Sequence, residues 1–132
     1  AWQQAETLYW LEYAKENKKR GIGTVICGFM MPDEIVTVSK KLGIDVLGYF
    51  LDVDKANLTN RLLSRYTSQK AVDDLMKITG RTVQQFLADN IDITATLKNA
   101  STKNGFEILN TDNQSPKEVA QLLTNSIQTK SN

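Results

Sequence analysis

The chain has 132 residues, 41% hydrophobic and 23% charged, which suits one soluble globular domain and excludes a disordered chain. Its 16 basic and 15 acidic residues leave a net charge of +1, which argues against a broad nucleic-acid-binding surface. The absence of histidine excludes His triads and His metal sites, the lone Cys27 excludes an internal disulfide, and no apolar run approaches the ~20 residues that cross a bilayer.

In chain order, residues 2–20 read as a helix, with Trp2, Ala5, Leu8, Tyr9 and Tyr13 at helical spacing and Gly21 as the stop. Lys18, Lys19 and Arg20 sit where cations favour the helix dipole. "GTVICGF" has the β-branched, apolar density of a buried strand. Pro32-Asp33-Glu34 starts a helix that should end near Gly43. "DVLGYFLDV" predicts a second buried strand, and Asp54 caps a helix carrying Leu58, Arg61, Leu62 and Arg65. Residues 69–79 form a short amphipathic segment closed by Gly80. Thr82-Val83-Gln84-Gln85 is a capping box that opens a long helix towards Lys103, stopped by Gly105. "FEILN" is a third strand, and Ser115-Pro116-Lys117-Glu118 starts a last helix striped by Val119, Leu122, Leu123 and Ile127, its tail frayed after Thr129. Apolar strands alternating with helices predict a single α/β domain over 1–132, with a parallel sheet flanked by helices in three α/β/α layers. Three strands make a thin sheet, so the chain is either small or lacks strands that belong beside these.

Few motifs carry chemistry. "GIGTVICG" fails as a dinucleotide fingerprint, because Ile26 stands where the third glycine belongs and the glycines precede a strand. No glycine begins a G-x-x-x-x-G-K-[ST] loop, so the backbone cradle for ATP phosphates is missing from the sequence. Arg61 and Arg65, at i and i+4, would share a helix face just beyond a strand end. Guanidinium forks there could hold phosphate; equally, they could be solvated or pair with Asp52 or Asp54. Gly28, in "CGFMMPDE", would let a ligand approach the end of the first strand, or simply turn the chain with Phe29 and Met30 in the core. Asp52 could reach a metal-bound water. No protein metal ligands are assigned. Cys27 reads as a buried inert thiol, and Trp2, Tyr9, Trp10 and Tyr13 read as core and edge packing.

"GTVICGF", "VLGYFLDVDKANLTNRLLSRY" and "FEILNTDNQSPKEVAQLL", in that order, resemble the later part of the P-loop kinases of nucleotides and small metabolites, such as adenylate, cytidylate, shikimate and gluconate kinases. The resemblance covers about residues 22–128. It implies a P-loop NTPase-like fold lacking its first strand and Walker A region, so that these residues are the C-terminal part of a kinase. By that resemblance Arg61 would lie against the adenine or phosphates, and Arg65 would contact the transferring phosphate. Gly28 and Phe29 would line the acceptor site, and Asn110, Thr111 and Asp112 would form the turn beside the adenine. Arg81 would be an arginine of a mobile lid over residues 67–82. Two departures stand out: Cys27 replaces an acid found in adenylate kinases, and their arginine after Gly-Phe-Pro is missing.

The expectation is therefore an ATP-dependent phosphotransferase, using ATP and Mg2+ in the complete protein, with this chain inactive alone. Its partners would be a nucleotide and a small-molecule phosphate acceptor, with neither nucleic acid nor membrane, in the cytoplasm. The alternative is a non-catalytic α/β binding or assembly module, which could form a homo-oligomer through an exposed sheet edge.

Overall fold

A computed structural model of the chain describes residues 2–28 and 30–131. The described residues form six helices and two short strands: α1 (Trp2–Lys19), α2 (Pro32–Leu42), β1 (Tyr49–Asp52), α3 (Lys55–Leu63), α4 (Gln69–Thr79), α5 (Val83–Lys103), β2 (Glu107–Asn110) and α6 (Pro116–Ser131). None of these helices is long and apolar enough to cross a membrane.

Helix starts follow local chemistry. Asp54 accepts the amide of Asn57 at 2.8 Å, and Ser68 accepts that of Ala71 at 3.1 Å. Thr82 and Gln85 exchange bonds at 3.2 and 3.0 Å, a reciprocal capping box that satisfies two orphan amides at the start of α5. Ser115 accepts the amide of Glu118 at 3.1 Å. At the end of α2, Gly43 adopts φ 67, which a β-carbon disfavours. This lets its amide reach Lys40 and that of Ile44 reach Ser39.

The sheet corrects the predicted fold. β1 and β2 form a two-stranded sheet, not the sheet of a three-layer α/β/α P-loop fold. Glu107 donates to the carbonyl of Gly48 at 2.9 Å and Thr111 to that of Asp52 at 2.8 Å. Both partners advance in step, so the strands are parallel. The predicted strand "GTVICGF" does not form: residues 22–27 are irregular and Val25 is 84% exposed. β-branched apolar residues make a strand only where a neighbour takes their backbone groups, and neither described strand pairs with them. Cys27, predicted buried, is exposed.

The chain divides into two compact units, Ala1–Tyr49 with Asn99–Glu107, and Phe50–Lys98 with Ile108–Asn132. In the first, α1 packs against α2. The buried face of α1 carries Thr7 and Leu11, whereas Trp2, Tyr9, Trp10 and Tyr13, read from sequence as core and edge, are 38–71% exposed. Thr7 is tolerated inside because its hydroxyl donates to the Gln3 carbonyl at 3.0 Å. In the second, Leu62 and Leu75 are buried, and Tyr66 meets Phe86 edge to face with ring centres 5.8 Å apart. α6 continues to Ser131, past the expected fraying point.

Gly48 lies against the ring of Phe106, and a β-carbon there would run into it. Gly48→Ala should therefore lower stability by about 1–3 kcal/mol through overpacking, read as a leftward shift of the urea midpoint. An unchanged midpoint would mean the ring moves aside freely.

Candidate functional site

The polar groups of the second unit converge beyond the carboxyl ends of β1 and β2. Thr111 is 8% exposed and delivers two donors to one acceptor: its amide and its hydroxyl each reach the Asp52 carbonyl at 2.8 Å. The turn then reverses through Asn113, a non-glycine residue at φ 57, a conformation that asparagine tolerates. This leaves Asp112 facing the start of α3.

Asp112 is the hub. It accepts the side-chain amide of Asn57 at 2.9 Å, the backbone amide of Asp54 at 3.1 Å and the side-chain amide of Asn110 at 3.0 Å. Its own amide donates to the Asn110 side chain at 2.8 Å. The Asn57 hydrogen bond holds the Asp112 carboxyl below the usual carboxylate range; partial desolvation opposes it, and Asn110, the Asp54 amide and the charge of Arg61 add to it. Asp52, whose side chain is only 15% exposed, is paired with Lys98 of α5 at 2.6 Å and also accepts the Val53 amide at 3.0 Å. Among the described residues no three His, Cys, Asp or Glu side chains form a group that could hold a metal ion.

The predicted site residues separate. Asn110, Thr111 and Asp112 belong to this cluster, while Arg61, exposed on α3, is bonded to none of them and acts on Asp112 through its charge. Arg65 lies just past the end of α3, which stops at Leu63 with Ser64 as its cap. The Ser64 and Arg65 amides close that end onto Asn60 and Leu62, and the Arg65 side chain is exposed. Arg81 is tied to Asp89 at 3.3 Å, both side chains about half exposed. Gly28 is exposed, at φ +148, in the first unit, and Phe29 lies outside the described residues. A cleft of about 580 Å³ opens between the end of α3, α4 and the start of α5, its lining both apolar (Leu63, Tyr66, Val72, Met76, Val83) and polar (Asp73, Thr82, Gln84); none of the predicted site residues lines it.

Sequence reasoning missed Asn57 and Lys98. Asn57 had a local signal, since it stands three residues after the cap Asp54, where its amide must be satisfied. Lys98 had none, because only folding brings α5 to the end of β1.

The direction of the Asp112 shift sets a pH dependence. Its folded-state pKa lies below the unfolded value near 3.8, so its contribution is present above that value and fades as pH falls through the depressed one. Asp112→Asn should flatten the acid limb of the stability profile below about pH 4. An acid limb identical to that of the parent would show that the carboxylate is not held in solution.

Comparison with protein-family models, with curated proteins and with solved structures finds no match to this chain, so its function rests on the chemistry of these residues.

Proposed function

We propose that the chain is part of an ATP-dependent phosphotransferase acting on a nucleotide or small metabolite, with Arg61 as its principal phosphate-facing group. One observation carries this reading: a parallel strand pair ends in a polar cluster, and the helix leaving it brings an exposed arginine to that end. Ligands of parallel α/β sheets bind beyond the carboxyl ends of the strands. The positive charge of Arg61 helps to lower the Asp112 carboxyl, and the guanidinium is in no ion pair among the described residues.

The residues present do not by themselves fit a triphosphate or Mg2+. The sequence holds no glycine–lysine loop, and no acidic trio is formed among the described residues. Both would have to be held by residues beyond these 132. What the chain offers is positioning and charge. The Arg61 guanidinium presents paired donors to phosphoryl oxygens and spreads their charge. Arg65, exposed just past the helix end, offers a second guanidinium to a phosphate. Thr111 and Asp112 are already engaged, so a base beside the turn would meet mainly its backbone. α4 lies within the proposed lid, residues 67–82, and Arg81 would leave Asp89 as that lid closes.

Two outcomes test this. ATP with Mg2+ should leave the melting temperature of the 132-residue chain unchanged; a rise of several degrees would contradict the reading. In a version extended to include a phosphate loop, Arg61→Ala should lower kcat for phosphotransfer by about 10²–10³-fold at unchanged Tm, and an unaffected kcat would remove Arg61 from the chemistry.

The second reading, a non-catalytic assembly module, draws on the exposed α1 aromatics. Tyr9 and Tyr13 flank Trp10 edge to face at 5.2 and 5.9 Å, an apolar face that no described element covers. Phosphotransfer that depends on Arg61 would rule it out as the sole function.

A further inference from the structure

Asn104 and Gly105, just past the end of α5, are the chain's only Asn–Gly pair. A glycine after asparagine leaves the intervening peptide nitrogen unshielded, because no side chain stands over it. We propose that this pair is a site of spontaneous modification, in which the Asn104 amide becomes an acid, and that the folded end of α5 gates the reaction.

The chemistry needs only water. The peptide nitrogen of Gly105 gives up its proton and attacks the side-chain carbonyl carbon of Asn104. A carbon–nitrogen bond forms, the bond to Nδ2 breaks, and ammonia leaves carrying the proton. The resulting cyclic imide is opened by water at either carbonyl. One opening gives aspartate; the other gives isoaspartate, which lengthens the backbone by a methylene.

The fold opposes the first step at each atom it uses. The Gly105 amide donates to the Thr102 carbonyl at 3.2 Å, and the next amide, of Phe106, reaches Ser101 at 2.9 Å. Both bonds belong to the turn that ends α5, with Gly105 at φ +73. The Asn104 side-chain amide donates to Asp33 Oδ1 and to the Ala100 carbonyl, the latter at 2.7 Å. Attack therefore requires the last turn of α5 to unwind, and helix ends are where local opening is easiest.

The product cannot restore what it replaces. Asn104 ties the end of α5 to the first turn of α2 within one unit. An acid in its place has no donor for Asp33 and sets a second negative charge against it. Each opening event that reacts thus loosens this tie permanently.

The test is peptide mapping by mass spectrometry with isoaspartyl labelling, after incubating the protein in mildly alkaline buffer, folded and in urea. Asn104 should be the first asparagine converted in urea, and it should react at least about tenfold more slowly when folded. Asn104→Asp should lower Tm by about 2–5 °C. Equal rates in both states would overturn the gating, another asparagine converting first in urea would overturn the site, and an unchanged Tm would overturn its effect on the tie.

Discussion

The double acceptance at the Asp52 carbonyl is the constraint on which the second unit depends. One oxygen takes both the amide and the hydroxyl of Thr111, at a nearly buried position. That pairing sets the register of β1 against β2. It also decides where both strands stop and aims the following residue, Asp112, at the start of α3. Asp112 then serves the orphan amide of Asp54 and the side chain of Asn57, while Asp54 caps the helix itself. Moving the register by one residue would turn Thr111 outward and leave that amide without a partner.

The same economy limits what the cluster can do. Most of its polar atoms are satisfied by one another, so it is a positioning device before it is a binding site. The exposed cation it leaves is Arg61, and the functional proposal rests there. Lys98 plays the complementary part: coming from a distant helix, it neutralises Asp52, whose carboxylate would otherwise be costly at that degree of burial. The three-layer sheet that the resemblance implied is not what the chain forms: the described residues hold one two-stranded parallel sheet, and "GTVIC" is not one of its strands.

Short-range chemistry was legible and long-range burial was not. The caps at Asp54, Thr82 and Ser115, and the stops at Gly43, Gly80 and Gly105, could be read because such bonds join residues three to five apart. α1 shows the opposite. Its aromatics looked like the inward face, yet the helix turns Thr7 and Leu11 inward against α2. A hydroxyl that bonds its own helix can be buried cheaply, and periodicity does not register that. The segment 22–27 failed for a related reason, since its composition suits a strand but a strand is defined by its neighbour. The end of α3 was also not legible: the helix stops at Leu63, short of Arg65, where the Ser64 and Arg65 amides tighten the last turn onto Asn60 and Leu62.

By itself the sequence determined most helix starts and glycine stops, that strands at "YFLD" and "EILN" would be parallel, and that no glycine–lysine loop is present in these residues. Tertiary structure alone decided which face of α1 is buried, that β1 pairs with β2 among the described residues, and that Lys98 meets Asp52 and Asn57 meets Asp112. The division has a physical reason. Caps and turns are closed by atoms a few residues apart, whose geometry the backbone already restricts. Strand pairing and burial depend on residues far apart in the chain, and no local pattern names the partner.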